Sequence, residues 1–132
     1  MLQPFFQIVP SAARNAAGNG EPFDLMKLCE WDASRQFPPM ARMQVDVTAF
    51  SGSATPTLAV LFEDSIDGTN WNTIGTTGNL TLVIRTVINI GIRGDAYPAN
   101  FAWPFNARRF RARWTIVGTN PSFTFSVKGL LL

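Results

Sequence analysis

Runs of strict two-residue alternation constrain this chain more than any other feature. Met43, Val45, Val47 and Ala49 alternate with Arg42, Gln44, Asp46 and Thr48. Phe110, Ala112, Trp114 and Ile116 alternate with Arg109, Arg111, Arg113 and Thr115, and Phe123, Phe125 and Val127 with Ser122, Thr124, Ser126 and Lys128. A period of two places successive side chains on opposite faces of an extended strand, so each run shows one face to a core and one to water. In a further run Leu58, Val60 and Phe62 alternate with Ala59, Leu61 and Glu63, and both faces are largely apolar, as a central strand covered on both sides would be.

Turn signals separate these runs. Ser51-Gly52-Ser53-Ala54-Thr55-Pro56 supplies one, a glycine turn is expected at Gly75 to Gly78, and Gly118-Thr119-Asn120-Pro121 supplies a third. Leu80 to Ile90 is a long β-branched segment, and Gly91 to Asn106 a loop unusually long for a compact domain. Helical patterning is confined to a turn near Asp32 to Arg35, which Phe37-Pro38-Pro39 stops. Seven or eight short strands with turns between them predict an all-β chain, a single antiparallel β-sandwich or jelly roll. Residues 1–22, rich in Pro, Ala, Asn and Gly, read as an N-terminal arm, and 23–132 as the sandwich domain. Within the arm, Phe5, Phe6 and Ile8 either pack on their own domain or dock on a neighbouring subunit.

Composition narrows the function. A chain of 132 residues is one domain's length, enough to bury a core without staples. It has no histidine, which removes the commonest general base, the usual catalytic triads and most zinc sites. Its single cysteine, Cys29, has no disulfide partner and reads as a buried thiol. No enzyme and no cofactor is expected. The N-terminus lacks the basic region of a signal peptide, and no apolar run reaches the roughly 20 residues of a membrane span, so synthesis in a cytoplasm and no membrane partner are expected. Residues 1–70 hold four basic and eight acidic side chains, whereas 71–132 hold seven basic and one acidic. That asymmetry suits self-assembly in which unlike surfaces meet, and without a Lys/Arg-rich tail nucleic acid is not required.

The densest polar stretch is Glu63 to Ile74, "EDSIDGTNWNTI". Set against a calcium loop, Gly68 at position 6 puts Glu63, Ser65 and Asp67 at 1, 3 and 5, but position 12 falls on Ile74, where a bidentate carboxylate is required. Asp64 and Asp67 would make an acid/base pair only with a raised-pKa partner and a cleft, and nothing supplies either. The reading that remains is a hairpin: Gly68 at a left-handed position, Asp67 and Asn70 capping the turn, and Trp71 laying its ring on the sheet or the adjacent core.

Two further constellations are candidates for protein-protein contact. Arg109, Arg111 and Arg113 share one face of a strand and cannot neutralise one another; they want carboxylates from a neighbouring strand, a partner protein, or phosphates. Tyr97, Phe101, Trp103 and Phe105 in the long loop either plug one end of the sandwich or form a subunit contact, with Tyr97 and Trp103 the candidate anchors. Arg93-Gly94-Asp95 spells an integrin tripeptide, which three residues produce by chance.

"LAVLFEDSIDGTNWNTIG" (Leu58 to Gly75) and "RRFRARWTIVGTNPSFTFSVKGLLL" (Arg108 to Leu132) together resemble small β-sandwich proteins encoded among the structural genes of tailed bacteriophages, regarded as head decoration or minor virion proteins. The resemblance implies a structural virion protein at the capsid surface, most simply a decoration (cement) protein that binds the outside of the head as a homo-oligomer, with the major capsid protein or other virion subunits as partners. A head-spike base, tail or connector subunit is the related alternative. The "DGTNW" element also occurs in discoidin-like modules, so the alternative of another class is a carbohydrate-binding module in which Trp71 or Trp103 stacks on a sugar. The resemblance carries no catalytic residue.

Overall fold

The structure, a computed structural model, describes residues 5–24, 40–91 and 109–131. Seven strands run in chain order as β1 (Phe5–Arg14), β2 (Gly18–Asn19), β3 (Phe23–Asp24), β4 (Met40–Ser65), β5 (Asn72–Leu80), β6 (Ile84–Gly91) and β7 (Arg109–Leu131). All pairings are antiparallel.

β4 and β7 are far longer than an ordinary strand and pair along nearly their whole length, from Ala41 opposite Leu131 to Ser65 opposite Arg109. The ribbon they form is folded back on itself. The rings of Trp114 and Phe125, both on β7, lie 5.5 Å apart edge to face, whereas eleven residues of straight strand would separate them by about 36 Å. The fold comes at two facing corners, residues 51–57 of β4 and 118–121 of β7, where the register shifts between Ser51 and Thr57. Each corner has a left-handed glycine, Gly52 (φ 125°) and Gly118 (φ 138°). A Cβ on Gly52 would lie 2.9 Å from the Pro121 Cα and one on Gly118 3.0 Å from the Pro56 Cα, so each glycine seats the other corner's proline.

The corners divide the ribbon into two layers. In one, β6, the first limb of β4, the second limb of β7 and β1 lie side by side. In the other, β5, the second limb of β4, the first limb of β7 and the interrupted edge β2/β3 do so. With the bent strands counted as limbs, each layer has four strand positions, and the chain passes between layers in the order of an eight-stranded jelly roll. The all-β sandwich or jelly roll expected from the alternation is therefore the fold, in its jelly-roll form.

The core fills the space between layers with the residues the period of two selects. Met43, Val45, Val47, Leu58, Val60, Phe62, Phe110, Ala112, Trp114, Phe123, Phe125 and Val127 are all buried. Phe62 and Phe110 pack across β4 and β7 with ring centroids 6.2 Å apart. β1 adds Ile8 and Val9.

Three expectations are refined. The segment read as an arm supplies, over its described part, the edge positions of both layers: β1 pairs β7 from Phe5 opposite Leu130 to Arg14 opposite Phe123, and β2 pairs Trp114 and Arg113. The glycine turn expected at Gly75 to Gly78 lies inside β5, which bulges where Ala59 and Leu61 of β4 oppose Asn79 and Thr76. There the Thr77 hydroxyl accepts from the Val60 N–H at 3.1 Å and fills the gap in the ladder. The segment Leu80 to Ile90 divides at a turn between β5 and β6. Cys29, the Asp32 to Arg35 turn and the loop with Tyr97, Phe101, Trp103 and Phe105 lie outside the described residues, as do Arg93-Gly94-Asp95.

Candidate interaction surfaces

The hairpin between β4 and β5 shows how the polar stretch is used. One Asp67 oxygen, Oδ1, accepts from the backbone N–H groups of Thr69 and Asn70, both at 2.8 Å, and from the Ser65 hydroxyl at 3.1 Å. The other, Oδ2, accepts from the Asn70 amide at 2.7 Å, and Gly68 N–H donates to the Ser65 hydroxyl at 2.8 Å. Gly68 is left-handed, φ 79°. Donation by the Asn70 and Thr69 N–H groups, then by the Asn70 side chain, holds the Asp67 carboxyl well below the usual carboxylate range. Asp67 is thus the centre of a capped turn, as the spacing predicts.

Glu63 has a different role. Its side chain is buried, and its two oxygens accept from Arg111 Nε at 2.9 Å and Arg113 Nε at 3.0 Å. The register makes this unavoidable, because Glu63 stands opposite Arg111 and Leu61 opposite Arg113. The Arg111 guanidinium also lies 4.1 Å over the Trp71 ring. Of the three sources of charge open to the arginine row, a carboxylate on the neighbouring strand is the one found for Arg111 and Arg113. Arg109 is exposed and lies over the Gly68 turn. Trp71 therefore lies on the sheet through Arg111, and that ring face is already occupied.

The outer surface of the other layer has a matching network centred on Asp46. It accepts from Arg85 Nε at 2.8 Å and from the Gln44 amide at 2.9 Å, with Lys128 Nζ at 3.9 Å. Burial alone would raise the Asp46 carboxyl, but the hydrogen bonds from Arg85 and Gln44 and the charges of Arg85 and Lys128 outweigh it, and the group sits below its ordinary value. Arg42 Nε donates to Asn89 at 3.1 Å beside it. Among the described residues no cluster of three His, Cys, Asp or Glu could hold a metal ion, and no helix is long and apolar enough to cross a membrane.

Of the other candidate contact residues, Ile8 belongs to the core and Phe6 is half-buried against it. Phe5 lies in β1 opposite Leu130. Tyr97 and Trp103 lie outside the described residues.

Sequence reasoning missed two features. Arg14 sits 5.1 Å over the Trp114 ring and 4.9 Å over the Phe125 ring, and donates to the carbonyls of Phe125 and Pro10 at 3.1 and 2.7 Å. It bridges rings from the two limbs of β7, and desolvation there draws its pKa down. The second feature is the end of the sandwich where the β4 corner, the β7 corner and the β5–β6 turn meet. Phe50, Leu82, Val83, Ile84 and Val117, five of the seven exposed large hydrophobic side chains among the described residues, lie at this end. Among the described residues the three non-glycine residues with positive φ, Ala54, Thr55 and Asn120, all lie in its corners. The signal was present in the sequence: 47–62, 68–84 and 114–127 contain no charged residue.

No family model matches the chain, and no curated protein matches it in sequence. Among solved structures it is similar to the PBSX exported protein XepA, with a TM-score of 0.55 and 13% identity, covering 94% of this chain and 35% of that one. Weaker likenesses are to a structure of infectious bursal disease virus Gt strain (TM-score 0.47, 8% identity, 98% of this chain and 33% of that one) and to the T13 particle of the same virus (0.41, 10%, 99% and 29%). The chain spans about a third of the length of each. At these identities the likeness to XepA establishes a shared fold, a jelly-roll-like β architecture.

Proposed function

We propose that the chain is a non-enzymatic structural protein of a tailed-phage particle, and specifically a decoration (cement) protein that binds the outside of the head and stabilises it. The observation that carries this reading is the use of the polar groups. Glu63 is committed to Arg111 and Arg113, Asp67 to its own turn, and Asp46 to Arg85, Gln44 and Lys128. These three carboxylates hold strands and a turn together. The two segments that resemble tailed-phage proteins are adjacent in the fold, since Glu63 of the first pairs with Arg111 of the second, so the resemblance describes one three-dimensional unit. The fold shared with XepA supports a phage setting.

In this reading the uncharged end of the sandwich, with Phe50 and Val117 at its corners, rests on the shell. Uncharged, apolar patches suit the core of a protein interface, where an unpaired charge would be costly to bury. Each copy adds a small contact, and repetition over the head resists internal pressure without chemistry. The test is a binding assay with purified heads: the parent chain binds to saturation and Val117→Asp binds at least tenfold more weakly. Equal occupancy by the two would remove this end from the contact.

A further inference from the structure

From the β6 edge we infer that the chain forms a two-fold dimer by pairing β6 with β6 of a second copy. β6 pairs β4 on one side, from Met40 opposite Gly91 to Val47 opposite Ile84, and among the described residues no strand lies along its other side. Free edges in natural sheets are normally guarded by lysine, proline, an inward charge or a bulge. β6 has no lysine, proline or bulge, and its one charged side chain is Arg85: its sequence is Ile-Arg-Thr-Val-Ile-Asn-Ile-Gly, and its pairing with β4 has no register shift. It also carries exposed apolar groups, since Val87 is 47% exposed and Ile84 37%, continuing into Leu82 and Val83 at the turn that leads into it.

The occupant follows from charge and register. The one charge on β6, Arg85, is held by Asp46 of β4 at 2.8 Å, so it is already engaged within its own sheet and need not meet a like charge of a second copy. An antiparallel pair with its two-fold axis at Val87 sets Val87 against Val87, Arg85 against Asn89, and Ile84 against Ile90 of the second copy. No like charges meet, and each face of β6 continues into the same face of its mate, which a one-residue slip would destroy. The extent is sufficient: eight residues span about 27 Å, and two layers about 10 Å apart with their side chains present a side about 20 Å deep. The contact then covers on the order of 1,000 Å² in total, the lower bound for a specific interface. This dimer does not depend on the particle assignment.

Sedimentation velocity of the full chain over a concentration series tests it. The expected result is a reversible species of twice 14.5 kDa, which Val87→Asp shifts to monomer by at least tenfold in dissociation constant while circular dichroism and the melting profile stay those of the parent. Leu82→Asp, at the turn, is the second variant should Val87→Asp fold poorly, and it is expected to weaken the dimer in the same direction. A parent chain that stays monomeric up to its solubility limit overturns the inference, and so does a dimer that survives both substitutions.

Discussion

Glu63 and Arg111 face one another in register across β4 and β7, with Arg111 Nε donating to Glu63 Oε1 at 2.9 Å and the same guanidinium covering the Trp71 ring at 4.1 Å. Because Arg113 takes the other Glu63 oxygen, one buried carboxylate compensates two cations on a surface that would otherwise repel itself.

The first prediction follows from that pair. Glu63→Gln leaves both arginines without their counter-charge and is expected to cost about 2–3 kcal/mol, at the low end for a buried pair because Arg113 is partly open to water. The Glu63→Gln/Arg111→Gln double variant should cost less than the sum of the single changes, since the two residues are in contact. Urea denaturation of the four proteins measures the coupling, and strict additivity would show that the pair contributes nothing specific.

A second prediction concerns acid. The Asp67 carboxyl is held below its unfolded value of about 4, so its contribution is present above that pH and is lost as pH falls toward the folded value. Asp46 is lowered too and acts in the same direction. Stability should therefore fall on acidification below about pH 4, and Asp67→Asn should flatten that part of the profile. Thermal melts between neutral pH and about pH 2 read the slope; an unchanged slope in the variant would show that the turn hydrogen bonds are not coupled to folding.

Truncation separates the two readings of the N-terminus. Removing residues 1–14 deletes β1, exposes the core contacts of Ile8 and Val9, and takes Arg14 off Trp114 and Phe125. The truncated chain should lose its cooperative unfolding transition. A truncated chain that melts like the parent would mean that β1 is dispensable to the sandwich.

The corners give a fourth. Gly52→Ala must place a Cβ 2.9 Å from the Pro121 Cα at φ 125°, a backbone region that side chains rarely adopt. The expected loss is about 2–4 kcal/mol, more than a strain-free glycine replacement would give. Denaturation with intact far-ultraviolet dichroism checks it, and a neutral effect would show that the two corners are not packed as described.

Much of this fold is legible in the sequence because a period of two is a local signal. It selects Met43, Val45 and Val47, Leu58, Val60 and Phe62, and the inward residues of both limbs of β7, all buried but the half-buried Ile116, whereas Ala49 of the same pattern is exposed. The Asp67-Gly68 turn is legible for the same reason, since its hydrogen bonds join residues within three positions of one another. Pairing is not local. Nothing near Glu63 indicates that its partners lie 48 and 50 residues away, and in the sequence it stands only at the first position of a calcium loop that fails. Arg14 lies in a segment whose composition suggests an arm, and its aromatic partners become neighbours only when β7 folds back. The uncharged end is a sum over three separated stretches, each unremarkable by itself.

The central claim is that this jelly roll is a structural part of a phage particle. Electron cryomicroscopy of particles purified from the lysate in which the chain is made tests it most directly. The account predicts density for the two four-stranded layers on the outer surface of the head, with the end that carries Phe50 and Val117 seated on the shell. Particles that lack the chain altogether, while it remains free in the lysate, would contradict it.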